Sequence, residues 1–426
     1  MRIAFVTQWF PPERGTLVSA AVADGLASRG HEVDVVTGFP NYPTGKIHPD
    51  YPLRPYRRDE PAERVTVHRG PLYPSHNANP VQRIANYTSF AVSSAWTSRR
   101  RIRRPDVWLT YSSPATAAVA AATAPRRLRA PSCLIIQDLW PDSVTESGFV
   151  GGRLGRGMEN ALTRFCEWTY RRSDAIGVIS PGMRHILIDR GVPPWKIHDT
   201  PNWIDDAHLR PEQTTDREQR DILGLPAGRL FMFAGNLGEL QGLEPLVEAF
   251  AQCPAAQLVL VGDGVAKPDL QRICAEQRLP NVHFAPPQDI SQIGRYIAAS
   301  DVQIVSLKDT PLLRATMPSK VQASLAAGRP VLAHAPGDVA DLVVGAGAGL
   351  AASSGDVERT TAAIRQFCAV DADQLRQWGQ AARRCYDERF SPAAGVRRLE
   401  DMLVAAIDSR RAHVRRPDRD PTGAAA

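Results

Sequence analysis

Two kinds of residue suggest chemistry on an anion: glycines that follow apolar runs, and a lysine at a predicted helix start. The run 230–234 ends at Gly235-Asn-Leu-Gly238, and the run 257–261 ends at Gly262-Asp-Gly264. Glycine has no Cβ atom, so an anionic ligand can approach the backbone closely at such turns. Pro318-Ser-Lys320 then opens a helical pattern, with Pro318 expected at a first helical position. The N–H groups of a helix start and the Lys320 ammonium both attract anions.

A carboxylate is the second candidate for chemistry. Asp138 follows the apolar run Cys133-Leu-Ile-Ile136 and stands just before Leu-Trp-Pro. Open α/β sheets bind ligands at the carboxyl ends of their strands, where a carboxylate can orient or deprotonate a hydroxyl group of the ligand. The alternative is a helix cap or a loop hydrogen bond. We expect Asp138 and Lys320 to be the catalytic residues.

The elements that must position these residues alternate between short apolar strands and helices. Strands are predicted at 3–6, 32–37, 65–69, 105–110, 133–136, 175–179, 230–234, 257–261, 301–305 and 329–333, and helices at 17–28, 81–101, 156–173 and 243–250 among others. Strands that alternate with helices of this length form parallel βαβ units. The sequence therefore predicts an α/β protein with doubly wound parallel sheets.

The length and one polar stretch predict two domains. A chain of 426 residues is too long for one core. The alternating pattern pauses near residue 205, and residues 210–219 are polar and charged. We predict domains over 1–205 and 206–390, a C-terminal helix over 391–409 that reaches back to the first domain, and a disordered basic tail over 410–426.

Composition narrows the class of protein. No apolar run approaches the ~18 residues of a spanning helix, and the chain enters a strand at Ile3 where a secretory signal would carry a long apolar region. The six cysteines are scattered without metal-ligand spacing. We expect a cytoplasmic protein with reduced cysteines and no bound metal.

The formal charge of +6 comes partly from two arginine runs, 99–104 and 126–129. The ordinary explanation is a solvated surface. The first run ends a helical stretch that contains Ile84, Tyr87, Phe90 and Trp96, a composition typical of an interfacial segment. Salt-sensitive association with an anionic membrane surface is therefore the second hypothesis, with a peripheral location on its inner face.

The motifs together resemble retaining GT-B glycosyltransferases of glycosyltransferase family 4 (group 1), and among them the branch that includes N-acetyl-fucosamine transferases. The resemblance covers nearly the whole chain, and the order and spacing of the motifs make it specific. The motifs are Phe10-Pro-Pro12, Gly30-His-Glu-Val33, Pro40-Asn-Tyr-Pro43, Asp138-Leu-Trp-Pro-Asp142, Pro201-Asn-Trp203, Gly235-Asn-Leu-Gly238, Gln241-Gly-Leu-Glu244, Gly262-Asp-Gly264, Pro318-Ser-Lys320 and Ala326-Ala-Gly328 with Pro330.

The resemblance implies two Rossmann-like domains that face each other across a cleft. The N-terminal domain would bind the acceptor and the C-terminal domain the nucleotide sugar, with no cofactor, no essential metal and no nucleic-acid partner. The donor-binding residues expected on this basis are Gly15, Gly235, Asn236, Gly238, Gln241, Gly242, Gly262, Gly264, Arg314, Pro318, Ser319 and Lys320.

The chain departs from the family pattern at two carboxylates. Many members carry two glutamates separated by seven residues, and the corresponding positions here are Ala315 and Ala323. Members also commonly carry Lys or Arg in the first glycine loop, where this chain has Glu239, Leu240 and Gln241. We expect the phosphates to depend on Lys320, Arg314 and backbone N–H groups.

The predicted function is retaining transfer of an N-acetylated or deoxy sugar from a UDP-sugar to a cell-surface glycan precursor, in particular a lipid-diphosphate-linked one, or to a small-molecule acceptor. Two alternatives stay open. A GT-B sugar-nucleotide 2-epimerase would lack the arrangement of Pro318-Ser-Lys320 with Ala326-Ala-Gly328. A catalytically weakened GT-B binding module would be consistent with Ala315 and Ala323.

Overall fold

The computed structural model describes residues 1–13, 17–52, 54–75, 79–142, 152–209 and 216–415. Within these ranges the chain divides into two units. The first contains residues 1–179, 183–200 and the chain from Val396 onward, and the second contains residues 180–182 and 201–395. The main division therefore falls between residues 200 and 201, where the sequence predicted 205 and 206.

The first unit is built on one sheet of eight described strands. These are β1 (Arg2–Val6), β2 (Glu32–Gly38), β3 (Arg57–Ala62), β4 (Val65–Gly70), β5 (Val107–Ser112), β6 (Ser132–Ile136), β7 (Ala175–Val178) and β8 (Ile197–Asp199), in the spatial order β3-β4-β2-β1-β5-β6-β7-β8. All neighbours pair in parallel except β3 with β4. The order reverses direction between β1 and β5, and such a switch point is where doubly wound sheets bind ligands.

The edge strand β3 was not predicted from the sequence. Its residues, Arg-Arg-Asp-Glu-Pro-Ala, have no apolar alternation and most of them are exposed. Such a strand forms because β4 offers it a backbone ladder. Charge and proline are typical of an edge strand, since an edge needs no further hydrogen-bonding partner.

The second unit is built on a sheet of six described strands. These are β9 (Arg229–Ala234), β10 (Ala256–Val261), β11 (Val282–Ala285), β12 (Val302–Ser306), β13 (Val331–His334) and β14 (Gly349–Ala352), in the order β11-β10-β9-β12-β13-β14. All pairs are parallel. The strands are almost wholly apolar and buried, as expected for a parallel sheet covered on both faces. The switch point lies between β9 and β12.

Helices follow the strands in both units. In the first half of the chain the described helices are Leu17–Ser28, Pro80–Arg101, Val119–Ala122, Gly152–Arg172 and Pro181–Asp189. In the second half they are Asp216–Leu223, Leu243–Ala251, Lys267–Glu276, Ile290–Ala299, Pro311–Arg314, Ser319–Ala326, Asp338–Gly345, Val357–Ala369, Ala372–Arg389 and Pro392–Arg415. Short 3-10 segments complete the connections.

The last helix, Pro392–Arg415, extends beyond its predicted end at residue 409. From Val396 onward it belongs to the first unit, where the Val396 side chain fills the space beside Gly25. Glu400 on this helix lies 2.8 Å from His31 Nε2 and also accepts a hydrogen bond from Arg29. The helix is therefore fixed to the start of the chain by packing and by charge.

Among the described helices, none combines the length and the apolar composition needed to span a membrane.

Candidate active site

The candidate donor site lies at the switch point of the second sheet. Gly235 directly follows β9, and its φ of +134° is a conformation that side chains rarely adopt. The Gly235 N–H donates to the Val261 carbonyl at 2.9 Å, so the loop after β9 lies beside the loop after β10. The sequence pattern placed glycines here, and the backbone geometry gives the reason.

The two glycine loops touch each other through their backbones. A methyl group on Gly262 would lie 2.0 Å from the Gly235 carbonyl oxygen, and one on Gly264 would lie 2.4 Å from the Leu237 carbonyl oxygen. The Leu237 N–H also donates to the Asp263 carbonyl at 2.8 Å. No side chain other than hydrogen fits at positions 262 and 264 without moving backbone.

Asn236 and Gln241 shape the first loop from within. The Asn236 amide packs between Gly238 and Gly264, close to where a Cβ of either glycine would stand. The Gln241 side-chain oxygen accepts a hydrogen bond from the Gly238 N–H at 3.1 Å. Since that bond is local, Gln241 helps to fix the conformation of the loop.

Lys320 meets the first glycine loop. A methyl group on Gly235 would lie 2.5 Å from Lys320 Cε and 2.9 Å from Nζ, so the lysine stem fills the space that the glycine leaves. Nζ lies 4.9 Å from the centre of the Phe233 ring. Within the described ranges, no carboxylate pairs with Nζ. Burial lowers the pKa of Lys320 because no counter-charge balances the lost hydration.

The helix that carries Lys320 begins at Ser319, and Pro318 occupies the N-cap position just before it. The prediction that Pro318 is the first helical residue was therefore wrong by one position. Its ψ of 149° is extended, as is usual for an N-cap residue, and no side chain caps this first turn. Ser319 is exposed and precedes Lys320, so the amino end of the helix opens beside the glycine loops.

Gly242 closes the first loop on the side of β12. Its φ is +57°, and a methyl group there would lie 3.0 Å from Lys308 Cγ. Both residues line a cavity of about 570 Å³, together with Gly238, Asp309 and Ser354 among others. Lys308 therefore supplies a second cation beside the loop, which the sequence analysis missed.

Arg314, whose contact with phosphate stays a prediction, pairs with a neighbouring carboxylate. Its guanidinium donates to both oxygens of Asp309, at 2.6 and 2.9 Å, and the pair is exposed to solvent. The hydrogen bonds from Arg314 lower the pKa of Asp309. An arginine paired in this way directs its charge to Asp309, so the geometry favours Lys308 over Arg314 as the second cation.

A buried Ser–His pair holds the first glycine loop through a hydrogen bond to its backbone. Ser306 Oγ donates to the Gln241 carbonyl at 2.5 Å and lies 2.7 Å from His334 Nδ1. Because the hydroxyl proton is used on Gln241, the histidine must donate from Nδ1. Its Nε2 is buried and has no hydrogen-bond partner in the described part of the chain. Burial lowers the pKa of His334 to about 4, so the ring is neutral at neutral pH.

In the first unit, Asp138 lies at the carboxyl edge of the sheet beside the switch point. It follows β6, is exposed, and accepts a hydrogen bond from Ser113 Oγ at 2.7 Å. Ser113 itself follows β5, so two neighbouring strands place these side chains together. Burial raises the pKa of Tyr111 far above its usual range, and the Asp138 carboxylate adds to this effect. The loop hydrogen bond considered for Asp138 is therefore present, and the carboxylate also faces solvent.

The loops after β1 and β2 are joined by a buried carboxylate. Glu13 accepts hydrogen bonds from the N–H groups of Phe10, Asn41 and Tyr42, at 3.1, 2.7 and 2.9 Å. Burial raises the pKa of Glu13, although these three bonds oppose the shift. Glu13 thus holds the two proline-rich motifs together. Gly15, two residues further on, lies outside the described residues.

Arg69, on β4, also joins the loop that follows β1 to the end of β2. It is 2% exposed, donates to Asp59 at 3.0 Å and to the Gly38 carbonyl at 3.2 Å, and also donates to the Pro11 carbonyl. Five residues of the two sites were not predicted from the sequence: Glu13, Arg69, Ser306, Lys308 and His334. Their positions in the sequence were the available signal. Ser306 ends a strand beside a switch point, Glu13 and Lys308 follow such strands, and His334 pairs with Ser306.

Within the described ranges, no three His, Cys, Asp or Glu side chains group closely enough to hold a metal ion.

Two family models match the chain. Residues 16–203 match the model described as Glycosyl transferase 4-like domain, and residues 228–369 match the model described as Glycosyl transferases group 1. The first match spans most of the first unit, and the second contains all six strands of the second sheet.

Known proteins are similar in sequence and in structure. A protein of Escherichia coli (strain K12) with the provisional name colanic acid biosynthesis glycosyl transferase WcaI is 29% identical over 317 residues, covering 72% of this chain and 76% of that one. Sucrose-phosphate synthase from Thermosynechococcus elongatus has a TM-score of 0.69 at 18% identity, over 98% of this chain and 100% of that chain. HepE from Anabaena in complex with UDP-glucose has a TM-score of 0.65 at 17% identity, over 95% and 100%.

These matches and the two parallel sheets identify the class of protein. The chain is a glycosyltransferase of the GT-B fold, with a glycosyl transferase 4-like domain followed by a group 1 domain. The fold class predicted from the sequence is confirmed.

Proposed function

We propose that the protein is a retaining glycosyltransferase that moves a sugar from a UDP-sugar to a precursor of a cell-surface glycan. The observation that carries this proposal is the position of Lys320. Its amino group lies against Gly235, between the first glycine loop and a helix start that has no side-chain cap, and no described carboxylate neutralises it. This is an arrangement for a diphosphate that gains charge as it leaves.

The proposed chemistry follows from that charge. When the glycosidic bond to the diphosphate breaks, negative charge grows on the phosphate oxygens. A partly buried ammonium stabilises this charge more strongly than one in bulk water, because screening is weaker. Lys320 thus lowers the energy of the transition state more than that of the bound donor. Lys308, at the neighbouring cavity, would contact the same diphosphate or the nucleotide.

The donor and pathway are inferred from similar proteins. HepE was crystallised with UDP-glucose, and WcaI is named for colanic acid biosynthesis. We extend these to a uridine nucleotide donor and a surface-glycan acceptor here. An N-acetylated or deoxy sugar remains our proposal for the transferred group, from the resemblance to N-acetyl-fucosamine transferases.

Retention of configuration is proposed without a protein nucleophile. The positions where many family members have glutamates are Ala315, which is buried, and Ala323, which packs against apolar neighbours. The acceptor hydroxyl would attack on the face from which the diphosphate leaves, and a phosphate oxygen would take its proton. No step in this scheme requires a metal ion or another cofactor.

Asp138 is proposed to orient the acceptor hydroxyl. Its carboxylate is exposed at the carboxyl edge of the first sheet, and Ser113 fixes it by one hydrogen bond. That bond leaves further lone pairs on the carboxylate for an acceptor. Lipid-diphosphate-linked and small-molecule acceptors both suit such a group.

A membrane-associated acceptor has support from the helix Pro80–Arg101. Its exposed apolar residues are Val81, Ile84, Val92 and Trp96, which share one face at helical spacing and lead into the exposed Arg99 and Arg100. The sequence analysis had also placed Phe90 and Tyr87 on this surface. That was wrong for Phe90, which is buried in the core, and Tyr87 is half-buried against Trp140.

The test is replacement of Lys320. Lys320→Ala should lower turnover about a hundredfold, equivalent to about 3 kcal/mol, with a smaller effect on UDP affinity. Lys320→Met keeps the stem that packs on Gly235 and should lose turnover equally. Mass spectrometry of products from UDP-glucose, UDP-N-acetylglucosamine and UDP-N-acetylfucosamine, with a polyprenyl-diphosphate sugar as acceptor, measures transfer.

Three results would contradict the proposal in different ways. If the turnover of Lys320→Met stayed within threefold of the parent, Lys320 would have no catalytic role. An epimerised UDP-sugar without release of UDP would indicate the 2-epimerase. Tight UDP binding by the parent with no transfer from any donor would indicate a binding module.

A further inference from the structure

A groove at the amino-terminal edge of the first sheet gathers arginines from three separate segments. Arg104 follows the helix Pro80–Arg101, Arg126 and Arg129 lie between β5 and β6, and Arg410 and Arg411 lie on the last helix. We call this cavity, of about 1090 Å³, the arginine groove. All five arginines belong to the first unit.

The groove carries more positive than negative charge. Two carboxylates line it: Asp106, which accepts the Arg2 backbone N–H at 2.7 Å, and Asp408, which lies 3.7 Å from Arg411. Arg410 contacts Asp174 at 3.1 Å. The remaining lining arginines, Arg104, Arg126 and Arg129, form no ion pair with any described carboxylate.

Folding brings these like charges together at a cost. The three segments are far apart in sequence, so their arginines approach only when the sheet and the last helix assemble. Unpaired arginines in one concavity repel one another and raise the local potential. An anion in the groove would relieve that repulsion.

The groove is distinct from the sites already described. Met1, Asp106 and Pro131 line it, and they precede β1, β5 and β6. Asp138 follows β6, at the opposite end of that strand. A strand of five residues spans roughly 16 Å at 3.3 Å per residue. A small anion bound in the groove therefore does not reach Asp138.

We propose that the arginine groove binds an anion with several phosphate groups. Guanidinium groups pair with phosphate oxygens through two parallel hydrogen bonds, and arginine keeps its charge at any physiological pH. The volume exceeds that of a single phosphate, and the three guanidinium groups without an ion pair can engage more than one phosphate. The phosphates could belong to a free oligophosphate or to the headgroups of an anionic lipid, since both present the same oxygens.

The experiment compares two triple variants of the full-length chain. Arg104→Gln/Arg126→Gln/Arg129→Gln removes the unpaired groove charges. The control, Arg58→Gln/Arg64→Gln/Arg171→Gln, removes the same charge from exposed positions of the same unit. Titration calorimetry measures the affinity for inorganic tripolyphosphate, with UDP at one fixed concentration so that the donor loops are equally occupied. Co-sedimentation measures binding to phosphatidylglycerol and phosphatidylcholine vesicles.

The groove variant should bind tripolyphosphate at least tenfold more weakly than the parent, whereas the control should stay within twofold. If the groove variant lost binding to phosphatidylglycerol vesicles but kept its affinity for tripolyphosphate, that result would also support the proposal and would identify a lipid headgroup as the source of the phosphates. Equal behaviour of the two triple variants on both probes would overturn the proposal, as would a parent that binds neither. Thermal melts and the single variants Arg126→Gln and Arg129→Gln separate lost binding from lost folding.

Discussion

Gly235→Ala separates the role of the loop in folding from its role in catalysis. The added methyl group would lie 2.5 Å from Lys320 Cε and 2.9 Å from Nζ. Real contacts of this kind are essentially never so short, so one of the two groups must move. The lysine end is flexible and the backbone is not, because the Gly235 N–H is held by the Val261 carbonyl. We therefore expect the methyl group to displace Lys320 from the loop.

The expected magnitudes differ for stability and activity. A side chain at φ +134° costs about 1 to 3 kcal/mol of unfolding free energy. Displacement of Lys320 should remove about 3 kcal/mol of transition-state stabilisation, or about a hundredfold in turnover. The destabilisation alone leaves the protein folded if its stability lies in the usual range.

Gly228→Ala is the matched control. Gly228 precedes the same strand, β9, with a φ of +104°, and a methyl group there meets its nearest atoms at 3.6 and 3.8 Å, which is ordinary contact. Urea denaturation should show similar stability losses for both variants. UDP release from UDP-sugars should fall sharply in Gly235→Ala alone. Turnover of Gly235→Ala within threefold of Gly228→Ala would refute the placement of Lys320.

Three further predictions follow from other parts of the structure. Asp138→Asn should preserve UDP affinity and lower the rate of sugar transfer at least tenfold, since the amide keeps the shape and the bond to Ser113 but not the charge. If calorimetry and kinetics showed equal losses of UDP affinity and transfer rate, Asp138 would be a structural cap. The pKa of His334 is about 4, so between pH 4 and 6.5 the folded protein binds fewer protons at this ring than the unfolded chain does. This contributes up to about 3 kcal/mol of stability that is lost as the pH falls through the window, and in urea titrations at pH 7 and 4.5 the stability lost between the two pH values should be smaller for His334→Asn than for the parent. An equal loss in the two proteins would assign the pH dependence to other groups. Val92→Ser/Trp96→Ser should weaken co-sedimentation with anionic vesicles, whereas Val344→Ser, at a site of similar exposure in the second unit, should not. Equal vesicle binding by the two variants would exclude the exposed face of the helix Pro80–Arg101 as the membrane contact.

The alternating strands and helices were predictable because each is a local pattern. The helix Leu17–Ser28 and the strands β9 and β10 lie within a residue or so of their predicted bounds, since apolar runs and glycine stops fix them. Strand β3 could not be found in this way. It is charged and gains its structure from pairing with β4, which is a tertiary effect.

The glycines of the candidate site were found from the sequence, but their supporting residues were not. A glycine after a strand is visible in sequence, whereas the bond from Ser306 to Gln241 joins residues 65 positions apart. For Arg314 the structure adds a partner that the sequence did not show. Its charge and position suggested a phosphate ligand, and only the structure shows that Asp309, five residues earlier, already binds it.

Lys320 has no carboxylate partner within the described ranges, and the two family glutamates are alanines in this chain. A carboxylate near an ammonium would stabilise its charged form, whereas burial alone disfavours that form, and burial is what lowers the pKa of Lys320 here. A lysine in this state gains more from an incoming diphosphate than one that is already paired, because the diphosphate restores its missing counter-charge. Ala315 and Ala323 therefore supply no counter-charge, and the cation proposed to serve the leaving group is kept. On this ground we propose an enzyme that relies on Lys320 and not a module that has lost its chemistry.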